Sequence, residues 1–170
     1  MLIISTFAYR SALQLERSQE EIIRSYQIKS ELNFLHAKVS ESMQVQRDFL
    51  LTRQFQKVKQ LEDIRSRIEK ALKRLELYAQ AYPDQSERVI DLKWSIGIAL
   101  YAINNSFSII NDELSETPAF SKILEDTDVL TRSVITQINE MLRVEDVHIR
   151  NNRLMHIKQS TFTPFGSLLL

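Results

Sequence analysis

The sequence predicts an all-α fold, an antiparallel up-down-up-down four-helix bundle with longer first and fourth helices leading to a membrane. Three observations predict it. The 170 residues hold only two glycines, Gly97 and Gly166, and three prolines, Pro83, Pro118 and Pro164, too few turn formers for a sheet protein. Apolar residues recur at alternating spacings of three and four, the period of helices that bury one face. Pro83 and Pro118 break the middle of the chain.

The first helix, residues 11–51, carries Ile28, Leu32, Leu35, Val39 and Phe49 on one stripe, with Ser42 and Gln46 at two seam positions. No glycine or proline lies between Ser5 and Tyr82, and a single helix over residues 2–82 would measure roughly 120 Å at 1.5 Å per residue. The stripe slips in phase between Phe49 and Phe55, which places a tight turn at residues 52–54 with Thr52 as cap. The second helix, 55–82, buries Leu61, Ile68, Leu72, Leu75, Ala79 and Tyr82. It pairs Asp63 with Arg67 and Glu69 with Lys73 on its outer face. The third, 85–115, starts after the "AYPDQSERV" break with Asp84 or Ser86 as cap. Its stripe is Val89, Ile96, Leu100, Ile103, Phe107, Ile110 and Leu114, with Lys93 in the one gap and Trp94 as a packing anchor. The fourth, 119–158, follows Thr117 as cap and Pro118 in the favoured first turn. Ile123, Leu130, Val134, Met141 and His148 share its stripe with Thr127, Gln137 and Glu145.

An even number of antiparallel passes brings both chain ends to one side. Both ends are apolar: "MLIISTFAYR" at the start and "HIKQSTFTPFGSLLL" at the end. Neither reaches the roughly 20 apolar residues of a spanning helix. Each has aromatic and basic neighbours suited to a membrane–water boundary, Phe7, Tyr9 and Arg10 at the first, Lys158, Phe162 and Phe165 at the second. Residues 1–10 therefore read as the end of one transmembrane helix and 159–170 as the start of another. Residues 11–158 form the domain between them.

Charge and composition narrow the chemistry. Twenty-two basic and 22 acidic side chains give no net charge, hence no general footprint for nucleic acid. Without cysteine there is no disulfide and no thiolate ligand or nucleophile. Glu145 and His148 form one Glu-x-x-His pair, half of what a di-iron bundle needs, so no metal is expected. Glu125, Asp126 and Asp128 lack the glycine and terminal glutamate of a calcium loop and read as a solvated face. Two glycines cannot build a phosphate loop, and no nucleophile elbow is present. The Asn104–Ser106 glycosylation triplet falls inside a helix and is discounted. The chain is read as non-catalytic and free of cofactors.

Three stretches carry a family resemblance. In "SMQVQRDFLLTRQF", Arg47, Phe49, Leu50, Leu51 and Thr52 resemble the signature that ends the first helix of the third CHASE-type sensory domain, an extracytoplasmic module of bacterial sensor histidine kinases and related receptors. Asp48 stands where that family has glycine, and Arg53 and Gln54 replace its glycine–aspartate turn. Pro83 and Gln85 in "YPDQ" match the proline and glutamine between its second and third helices, and Met141 and Glu145 match its fourth. The resemblance covers residues 31–153. It implies a sensory bundle between two membrane spans, in the cell membrane of a homodimeric two-component receptor, with the bundle on the extracytoplasmic or periplasmic side. The ligand-binding bundle of a chemotaxis receptor and a soluble helical adaptor are the alternatives. Candidate ligand or signalling positions are Arg47, Gln46 and Glu145, Arg47 for its capacity to hold an unknown small anionic ligand and the other two as polar breaks in apolar seams.

Overall fold

Helix formers dominate this chain, and helices account for nearly all of its described residues. The computed structural model describes residues 2–109 and 118–162. It holds α1 (Leu2–Thr52), α2 (Gln56–Ala79), α3 (Pro83–Ile109) and α4 (Pro118–Phe162), with no strand among the described residues. The fold is an all-α four-helix bundle. α1 and α4 have 51 and 45 residues, α2 and α3 have 24 and 27.

Side-chain links fix the direction of every pass. Glu21, Lys29 and Arg47 of α1 meet Asn152, Asp146 and Asp128 of α4, so rising numbers on one helix face falling numbers on the other. Glu31 and Asp48 of α1 meet Arg74 and Lys57 of α2, and Glu76 of α2 meets Lys93 of α3, again antiparallel. Each helix packs on its sequence neighbours, α4 closes onto α1, and α1 also touches α3 across the diagonal.

The apolar stripes meet in one core. Leu32, Leu35, Ile68, Leu75, Leu92, Ile103 and Ile138 are fully enclosed, each contributing on the order of 1.5–3 kcal/mol by leaving water. Phe49 and Phe107 stack at 4.4 Å across the α1–α3 diagonal, near the α1–α2 turn. The α2–α3 turn lies at the other end, level with Arg24, whose guanidinium is 5.5 Å from the Tyr82 ring centroid. α1 therefore runs on past that turn by roughly 28 Å over residues 2–20, at 1.5 Å per residue. Leu13, Leu15 and Tyr9 are exposed on this extension.

The turns are built differently from one another. α1 ends on Arg53, at φ 57°, whose N–H donates to Phe49 O at 2.7 Å, a one-bond left-handed cap. α3 starts at Pro83 itself. Proline lacks an N–H and needs no partner in the first turn. Tyr82 O accepts from Ser86 N at 2.9 Å, so neither Asp84 nor Ser86 is the cap, and Asp84 sits in the first turn, where its charge suits the helix dipole.

Several stripe positions shift. Leu92 and Ala99 complete the α3 seam, while Lys93 turns outward to pair with Glu76 at 2.6 Å. Trp94 is 69% exposed and lies outside the bundle core. On α4, Ile149 takes the buried position and His148 faces out, because the stripe drifts with the 3.6-residue turn. Glu69 pairs with Arg65, not Lys73. Ile110 and Leu114, together with residues 163–170, lie outside the described residues.

Candidate functional site

Gln46, Arg47 and Glu145 do not form one site. Gln46 is fully enclosed on the inner face of α1, and its Nε2 donates to Ser106 Oγ of α3 at 2.7 Å. Ser106 Oγ in turn donates to Ile103 O at 2.6 Å, and Ser42 Oγ closes onto Val39 O at 2.7 Å. This polar layer sits beside the Phe49–Phe107 stack. Arg47, one residue on, turns toward α4. Its Nη2 reaches both carboxylate oxygens of Asp128, at 3.0 and 3.1 Å, on the half-exposed α1–α4 surface. Asp48 turns to Lys57 of α2 at 3.0 Å. Successive helical residues lie about 100° apart, so a sequence patch of Ser42, Gln46, Arg47 and Asp48 is divided among three neighbours.

Glu145 lies near the other end of the bundle, beside the α2–α3 turn. It is the one buried acid among the described residues, 3% exposed. Gln85 Nε2 of α3 donates to Glu145 Oε1 at 2.8 Å. Two residues that the sequence offers in separate motifs, "YPDQ" and the fourth-helix glutamate, are thus in direct contact. The remaining oxygens, Glu145 Oε2 and Gln85 Oε1, are both buried and without a hydrogen-bond partner. Both residues border a void of ≈ 10 Å³ walled also by Ile28, Ala79, Arg88, Val89, Met141 and Val144. That is about the room one water requires. Burial pushes the Glu145 carboxyl above its ordinary value of 4.5, while the Ser25 hydroxyl and the charges of His148, Arg88 and Lys29 act against the shift. Burial likewise raises Tyr82 nearby.

Glu145 and Gln46 are visible in the sequence because each interrupts an apolar seam. Their partners are not: Ser106 reads as a small helical residue and Gln85 as a turn residue. The one available signal is that each falls in register with its own helix's stripe, Ser106 beside Phe107 and Gln85 four residues before Val89.

Elsewhere, Ile90, Trp94, Ile98 and Tyr101 are exposed in a line along α3. Residues 94–109 contain no charged side chain. Gly97 lies within this line, and a Cβ added there would meet nothing within 4 Å. Among the described residues no group of three or more His, Asp or Glu side chains is placed to hold a metal. No described helix is long and apolar enough to cross a membrane. Compared with protein-family models, curated proteins and solved structures, the chain matches none.

Proposed function

We propose that this chain is the extracytoplasmic sensory bundle of a transmembrane signalling receptor, a two-component sensor kinase in the first instance, and that it relays a stimulus by repacking its helices. One observation carries the reading. α1 and α4 are antiparallel and the longest elements, and α1 continues past the α2–α3 turn on the side where α4 ends. That geometry suits a two-helix stalk through which bundle and membrane are mechanically joined. The resemblance of residues 31–153 to the third CHASE-type domain points the same way. Packed interfaces have discrete arrangements, so a small change in the bundle becomes a piston, tilt or rotation of the stalk. The buried polar contacts Gln46–Ser106 and Gln85–Glu145, one at each end of the bundle, are the layers at which that repacking costs least. Arg47 is the surface position at which an anionic ligand would compete with Asp128.

The same reading gives the receptor a homodimeric bundle, and the α3 line of Ile90, Trp94, Ile98 and Tyr101 is the face we assign to a second copy. From Trp94 onward this line runs through a stretch without charges, which can face itself across a two-fold axis without burying an unpaired ion.

These 170 residues contain no cysteine, so a thiol introduced among them is a specific probe. A single cysteine at exposed Thr136, in the complete gene product, is expected to react with a membrane-impermeant maleimide in intact spheroplasts, and the protein to sediment with membranes. Labelling only after lysis, or recovery in the soluble fraction, overturns the reading.

A further inference from the structure

Two orphaned acceptors on one bonded pair of side chains require explanation. A buried carbonyl or carboxylate oxygen without a donor costs about 1–3 kcal/mol, more when it is charged. Glu145 Oε2 and Gln85 Oε1 are both in that condition, although their side chains already share a 2.8 Å bond through the other atoms. An ionised Glu145 supplies no donor for either. A protonated Glu145 supplies one, and the only acceptor it must reach belongs to the amide already in contact with it. Terminal carboxyl and amide torsions are broad, so rotation of either group turns one bond into two. We propose that Glu145 carries a proton in the folded bundle, that this proton closes a two-bond ring between Glu145 and Gln85, and that its loss releases α3 from α4. Gln85 Nε2–H donates to Glu145 Oε1, and Glu145 Oε2–H donates to Gln85 Oε1. The proton goes to and returns from bulk water, and no other bond changes.

The surroundings fit a switch. Every other helix seam is joined by an ion pair among the described residues: Glu31–Arg74 between α1 and α2, Glu76–Lys93 between α2 and α3, Arg47–Asp128 and Lys29–Asp146 between α1 and α4. The α3–α4 seam has the Gln85–Glu145 contact. Around Glu145 stand Ser25 and Lys29 from α1, Tyr82 at the α2–α3 turn, Arg88 from α3 and His148 on α4, while α2 contributes Ala79 to the wall of the void. Burial raises the carboxyl, and the Ser25 hydroxyl first, then His148, Arg88 and Lys29, favour its ionised form, so opposing effects act on one proton. A carboxyl whose value is raised in the fold adds stability in full below its ordinary value of 4.5. It loses that stability as pH climbs through the raised value. As the stimulus of a receptor, the proton rests on the function proposed above. As a property of the bundle it does not, and a test on the purified chain separates the two.

The test compares wild type with Glu145→Gln and Glu145→Leu by denaturant unfolding across the acid-to-alkaline range. Glutamine is a permanent, neutral ring partner for Gln85, and leucine is neutral but cannot bond. The expected result is a wild-type folding constant that falls against that of Glu145→Gln as pH rises, by up to about tenfold per pH unit. Glu145→Leu is expected to stay less stable than Glu145→Gln throughout. Parallel wild-type and Glu145→Gln profiles overturn the proposal; so does a leucine variant at least as stable as the glutamine one. The competing arrangement is an ionised Glu145 with one water in the void donating to both oxygens. NMR titration of the wild-type glutamate carboxyl carbons decides against it if one titrates above the rest. It decides for it, and sinks the proton ring even where the variants do not fold, if all titrate together.

Discussion

Gln46 shows what a buried polar side chain contributes at the scale of one residue. It donates its amide to Ser106 Oγ, which keeps its own bond to Ile103 O with or without Gln46. An intramolecular hydrogen bond yields only about 0.5–1.5 kcal/mol net, because water offers the same bond to the unfolded chain. Gln46→Leu leaves no orphaned donor and adds apolar volume to a closed seam. Its unfolding free energy is expected within about 1 kcal/mol of wild type in urea titration. Leu75→Ala, at a fully enclosed position, is expected to cost about 2–5 kcal/mol in the same measurement, since it leaves a cavity. A Gln46→Leu loss as large as that of Leu75→Ala would mean that the layer holds the fold together and is no soft point. The contrast with Glu145 lies in the atoms left over: Gln46 makes a bond whose partner stays satisfied, whereas Glu145 and Gln85 leave two buried oxygens without a donor.

At the scale of the element, the end of α1 is the place where the local sequence and the backbone disagree. Arg53 holds φ 57°, a region that side chains with a Cβ enter at a cost of roughly 1 kcal/mol. Arg53→Gly relieves the strain while keeping the N–H that bonds Phe49 O. The expected outcome is a gain of up to about 1 kcal/mol, read as a higher urea midpoint with an unchanged slope. A loss would show that the contacts of the arginine side chain outweigh the backbone cost. The turn itself is legible in the residues alone. The apolar phase slips between Phe49 and Phe55, and no single helical face can carry both halves of the chain. The caps are less so. Pro83 opens α3 from within, because a residue without an N–H fits a first turn better than it separates two helices. Sequence alone treats it as punctuation.

At the scale of the whole molecule, α3 is the element with two faces. Val89, Leu92, Ile96, Ala99 and Ile103 fill the core, and Ile90, Trp94, Ile98 and Tyr101 remain outside it. If a second copy covers that outer line, Ile98→Glu places a charge in the centre of the interface and leaves the bundle core untouched. The dimer dissociation constant is expected to rise by at least about tenfold in sedimentation equilibrium, with the unfolding midpoint of the monomer preserved. A chain that is monomeric at high concentration, or an association indifferent to Ile98→Glu, removes the assignment of α3 to the dimer.

What the sequence by itself determined is the number of helices, their type, and most of the inward residues: Ile28, Leu32, Leu35, Val39, Ser42, Gln46 and Phe49 on α1, and Leu61, Ile68, Leu72, Leu75 and Ala79 on α2, all lie inside. Periodicity and the scarcity of glycine and proline suffice for that, since they are properties of one helix at a time. Where a stripe drifts, as between Lys93 and Leu92 or His148 and Ile149, one helix alone does not say which edge its neighbours will cover. The pairing of Gln85 with Glu145, 60 residues apart, is of the same kind. So are the separation of Gln46 from Arg47 and the direction of every ion pair. Those depend on how four helices turn their faces toward one another, and only the closed bundle settles that, because burial is a relation between elements and not an attribute of any one of them.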